Sequence, residues 1–147
     1  MAVLQAVFSE MTGNVLSNNI SHFSLGLFYI NTDLVEQHPA QRAISSSYVD
    51  ELVQDFEQTN ILRTECPGVV IGLNGGWKNL KNTGGAIYRI SSSSSCIDML
   101  RGTSGGPIAQ VIRGGHRTEA IRCFSGKPDM SDENYWCYNV LLPSRSL

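Results

Sequence analysis

The chain has 147 residues, 41% hydrophobic and 16% charged, with a formal net charge of −2. That composition excludes a disordered or fibrous chain and predicts one globular domain large enough to bury a core. Lys and Arg are few and spread thinly, which disfavours autonomous nucleic-acid binding by phosphate neutralisation.

Residues 1–22 carry no periodic pattern and are expected to form an N-terminal arm, with the domain proper over 23–147. The stretch "MAVLQAVFSEMTG" has no basic start and meets Glu10 after a short apolar run, so it is a poor secretory signal. No run approaches the roughly 18 apolar residues that a membrane span requires. An intracellular protein without a membrane partner is the expectation. Cys66, Cys96, Cys123 and Cys137 form no C-x-x-C pair and have no histidine at ligand spacing. They read as free thiols and not as a zinc site.

In chain order, Leu25–Ile30 reads as a strand closed by the turn-forming Asn31-Thr32-Asp33. "EQHPAQRAISSS" (36–47) reads as a loop. Val49, Leu52, Val53 and Phe56 recur at i, i+3, i+4 and i+7, which predicts an amphipathic helix over 47–58, with Ser47 and Asp50 in capping-box spacing. "PGVVIGL" (67–73) is a short β-branched run and predicts a buried strand. From 72 to 107 the chain is rich in Gly and Ser, and reads as an irregular insertion containing a strand "AIYRI" (86–90) and a helical turn "CIDML". A strand over 107–112, a helix over 117–124, an acidic turn "KPDMSDEN" and a last strand "YWCYNVLLP" complete the chain. The order β-α-β, insertion, β-α-β predicts a compact single α/β domain. Trp77 and Trp136 read as core or pocket-wall aromatics, with stacking on a base as the alternative for Trp77.

The stretch that carries chemistry is "VIRGGHRTEAIR" (111–122), where a strand gives way to a helix. A helix N-terminus exposes unpaired N–H groups and a partial positive charge, so it accepts anions. Gly114 and Gly115 allow close approach of the backbone, Arg117 adds a forked cation and His116 a titratable donor. The plainer reading of the same residues is a tight turn with Arg117 in a surface salt bridge. No Walker A pattern exists in the chain.

"GGHRTEA" resembles the G-x-x-R-x-x-A box of ParB-like domains, with Gly114, Arg117 and Ala120 in register, and is similar to the Gly-Gly-Cys-His-Arg box of sulfiredoxins. The upstream "INTDLVEQHPAQRAISSSYVDELVQDFEQTNI" resembles the other ParB-like box, so the likeness spans roughly 28–142. The resemblance implies a ParB/sulfiredoxin-like domain that binds a nucleoside triphosphate (ATP or CTP) with Mg²⁺, with hydrolysis or phosphoryl transfer as its activity. Gly114, Gly115, His116, Arg117 and Thr118 would cradle phosphate, and Arg42 would face it from the first box. Gln41 would orient water or metal, and Glu36 or Asp33 would supply an acidic base. Gly115 stands where sulfiredoxins need their reactive cysteine, so that activity is not expected. The helix-turn-helix region that follows in ParB proteins has no counterpart before Leu147, and chromosome segregation is not implied.

Two other readings stand beside this one. The first is a catalytically silent version of the same fold that binds nucleotide or a protein partner. The second is a trypsin-like serine protease, because "GTSGGP" (102–107) resembles that family's nucleophile loop, with Ser104 as nucleophile and His22 and Asp50 as partners. That fold is all-β, whereas helical patterns are among the clearest signals here.

Overall fold

The computed structural model describes residues 24–79, 88–90 and 107–142, with the backbone alone at 78–79 and 88–90. Six strands form one mixed sheet: β1 (Ser24–Asn31), β2 (Val35–Gln37), β3 (Gly68–Gly72), β4 (Tyr88–Ile90), β5 (Ala109–Arg113) and β6 (Tyr135–Leu141). Among the described residues two α-helices join them, α1 (Ser46–Gln58) and α2 (Gly115–Ser125). The expected α/β class is therefore observed. No helix among the described residues is long and apolar enough to cross a membrane.

The strand order across the sheet is β2-β5-β3-β6-β1-β4. β6 runs antiparallel to β1 and parallel to β3, so the C-terminal strand lies in the middle. Strand alternation decides which side chains reach the helices. Phe28, Ile30, Val70, Val111, Trp136, Tyr138 and Val140 share one face and are fully buried. Ile121 and Phe124 of α2 pack on that face, and Phe56 of α1 meets both Phe124 and Trp136. Both helices thus cover the same side of the sheet, and α1 lies against α2. Trp77 is fully buried at the edge of this core, its ring against Phe28 and its Nε1 donating to the Ile108 carbonyl at 3.0 Å. The core reading of Trp77 holds, and the stacking alternative is closed because the indole has no free face or donor.

Three details differ from the sequence expectation. β2 overlaps the start of the stretch read as loop: its three residues have no alternation of their own and form a strand only because β5 pairs with them in parallel. The cap of α1 is Ser45, whose Oγ accepts from the Tyr48 amide, and Ser47 lies inside the first turn. Any of the three serines can cap a helix, and a tertiary bond to Ser45 selects among them. Finally, α2 begins at Gly115, two residues earlier than the pattern predicts, which puts His116 and Arg117 in its first turn. The helical turn expected at 96–100 lies outside the described residues.

Candidate functional site

Gly114 is the pivot between β5 and α2. It sits in the left-handed region at φ 88°, and a Cβ placed there would come within 3.0 Å of the Gly68 Cα. Glycine satisfies both demands at no steric cost. The helix then starts with the Thr118 amide bonding to the Gly114 carbonyl. No side chain among the described residues caps it. The first-turn N–H groups of Gly115, His116 and Arg117 therefore have no partner among the described residues, and the positive end of the helix dipole stands there.

Two glutamines close over this turn. Gln37 at the end of β2 donates from Nε2 to the Gly115 carbonyl (3.2 Å) and to Glu119 Oε1 (3.3 Å). A Cβ on Gly115 would lie 2.5 Å from Gln37 Oε1 and 2.8 Å from Gln41 Nε2, so only glycine admits both amides. The Oε1 atoms of Gln37 and Gln41 are buried with no hydrogen-bond partner among the described residues. Glu119 in turn binds Arg122, which also donates to the Thr32 and Val35 carbonyls. One continuous polar chain therefore runs from the turn to the start of β2.

His116 takes part differently. Its Nε2 accepts the Ser45 amide at 3.0 Å, and its ring lies 5.0 Å from that of Tyr48. Arg117 is half-buried and Arg42 exposed, and neither has an ion-pair partner among the described residues. Arg63 and Arg122 are consumed by structure: Arg63 bonds Glu133 and the Tyr135 carbonyl and lies over the Tyr135 ring.

The fold brings Gly114, Gly115, His116, Arg117 and Gln41 together. Arg42 follows Gln41 on an exposed loop. Thr118 is near in sequence, yet its hydroxyl points inward to the Tyr138 phenol at 2.6 Å. Burial pushes the Tyr138 phenol well above the usual tyrosine range, partly offset by that bond and by Arg122. Glu36 is not brought in. It pairs in register with Gln110 on the sheet face opposite the helices, and accepts from the Gln110 side chain at 2.8 Å. Asp33 is exposed in the 3-10 turn 32–34. Asp50 is exposed on α1, while His22 and Ser104 lie outside the described residues. Cys66, Cys123 and Cys137 carry free thiols, and no group of three His, Cys, Asp or Glu side chains among the described residues is placed to hold a metal ion.

Sequence reasoning missed Gln37 and Glu119. A glutamine in a three-residue edge strand carries no periodic signal. Glu119, at i+4 from Gly115 on one helix face, becomes visible once α2 is started at Gly115. Comparison with protein-family models, curated proteins and solved structures finds no match for this chain.

Proposed function

We propose that this chain binds the phosphates of a nucleoside triphosphate, accompanied by Mg²⁺, at the β5–α2 turn, as a ParB/sulfiredoxin-like domain would. One observation carries the reading. The N–H groups of Gly115, His116 and Arg117 in the first turn of α2 have no partner among the described residues, and the Arg117 side chain beside them has no ion-pair partner there. An anion gains there from the helix dipole and from a forked cation together. The surface salt bridge of the plainer reading is not formed by Arg117 with any described residue.

Binding without turnover is favoured over catalysis by the position of Glu36. A carboxylate on the far face of the sheet cannot act as a base at the turn, and Glu119 is held by Gln37 and Arg122. Gln41 remains as the group able to orient water. The test is a thermal-shift series with Mg²⁺ and ATP, CTP, GTP or ADP. A nucleotide at 100 times its Kd should stabilise the fold by about 2.7 kcal/mol. Arg117→Ala should remove the shift and leave the ligand-free melting point unchanged. No shift with any nucleotide overturns the proposal. Turnover that Gln41→Ala abolishes, with affinity retained, would restore the catalytic version.

A further inference from the structure

Residues 37–45 are tied at both ends to the first turn of α2. At one end Gln37 Nε2 donates to the Gly115 carbonyl at 3.2 Å. At the other the Ser45 amide donates to His116 Nε2 at 3.0 Å, 71 residues away in sequence. Between them the segment folds on itself, with the Gln41 amide bonding the His38 carbonyl and the Ala40 amide bonding His38 Nδ1. The Gln41 side chain lies directly over Gly115. The Tyr48 ring rests against the imidazole and holds its orientation.

We infer that His116 is the latch of this strap, a positioning residue whose Nε2 closes residues 37–45 over the α2 turn and does not contact phosphate. The chemistry of the ring requires a choice. For Nε2 to accept from Ser45, the ring proton sits on Nδ1, so Nε2 has no hydrogen to offer an anion and Nδ1–H is the only donor the neutral ring keeps. Turning Nε2 to a phosphate would break the bond to Ser45. That bond does two jobs. It fixes Ser45 in the extended conformation (φ −85°, ψ 116°) from which its Oγ caps α1, and it sets where the strap ends. Gln41 and Arg42 ride on the strap, so their position over the turn depends on the latch.

The functional consequence rests on the phosphate reading; the latch does not, and the experiment separates them. His116→Ala removes the acceptor. His116→Gln places a side-chain carbonyl oxygen within reach of the Ser45 amide. Trypsin cleavage after Arg42 and hydrogen exchange of the Ser45 amide report on the strap without ligand, and cleavage after Arg122 reports on the whole fold. H116A should raise cleavage after Arg42 and Ser45 exchange by about threefold to tenfold, the equilibrium worth of one hydrogen bond. Cleavage after Arg122 should not change, and H116Q should return both strap readouts to the wild-type level. Equal strap protection in H116A and wild type overturns the latch. With Mg²⁺ and ATP as the probe, affinity should fall in H116A and return in H116Q. A closed strap in H116Q with affinity still lost would make the ring a ligand and overturn the positioning role. If the wild type binds no nucleotide, the phosphate reading fails, and the cleavage and exchange data still decide the latch.

Discussion

The Thr118 hydroxyl and the Tyr138 phenol lie 2.6 Å apart in the interior and join the first turns of α2 to the central strand β6. Both residues are fully buried, so neither has water as an alternative partner. Removing one hydroxyl strands the other. Tyr138→Phe and Thr118→Val should each destabilise the domain by about 1–3 kcal/mol, the cost of a buried unsatisfied polar group. The double variant should be more stable than the sum of the two losses implies. Denaturant melts of the four proteins measure this directly, and strict additivity would show that the hydroxyls do not interact.

Gly114→Ala and Gly115→Ala should separate stability from site geometry. At Gly114 the backbone is left-handed and the obstacle is the Gly68 Cα, so nothing flexible can move aside. The strain of a Cβ in that conformation, about 1–2 kcal/mol, should appear in full as lost stability. At Gly115 the obstacles are the amide ends of Gln37 and Gln41. Those side chains can swing away, and alanine gains up to about 1 kcal/mol of helix propensity. G115A should melt within a few degrees of the wild type while trypsin cuts after Arg42 faster. A cold-melting G115A with an intact strap would contradict this account.

Arg122 should be among the costliest single charges to remove. Its guanidinium binds two backbone carbonyls at the Thr32–Val35 corner and the Glu119 carboxylate. Arg122→Met keeps much of the apolar stem and loses all of those donors. A loss of roughly 2–3 kcal/mol is expected from hydrogen bonds made by a charged group. Arg122→Lys should recover little, because one ammonium cannot reproduce the planar fork. Full recovery with lysine would show that charge and not geometry is at work.

The Cys137 thiol should resist modification and weaken the fold in alkali. Burial pushes it from 9.0 up to about 11, while Cys66 and Cys123 are exposed. Iodoacetamide mapping at pH 8 should label Cys66 and Cys123 and leave Cys137 free until denaturant is added. The sign of the pH effect follows from the raised value. Below pH 9 both folded and unfolded chains keep the proton, and no stability is lost. Between pH 9 and 11 the unfolded thiol ionises first, so stability falls by at most about 1.4 kcal/mol per pH unit from this group. Cys137→Ala should flatten that part of the stability profile; an unchanged slope would assign it to other groups.

The chain by itself determined the elements whose signal is local. The spacing of Val49, Leu52, Val53 and Phe56 places α1 within a residue of its observed start, and the β-branched run at 67–73 places β3. Gly114-Gly115 before a helical pattern marks the turn because backbone freedom and helix ends are short-range properties. What depends on partners far along the chain was decided only in three dimensions. β2 exists because β5 lies beside it, and with it Gln37 reaches the turn while Glu36, one residue earlier, faces the other way. The choice of Ser45 among three serines follows from an imidazole 71 residues away. Thr118 is turned from ligand to core by the phenol of Tyr138, because a buried hydroxyl must find a partner and the sheet supplies one.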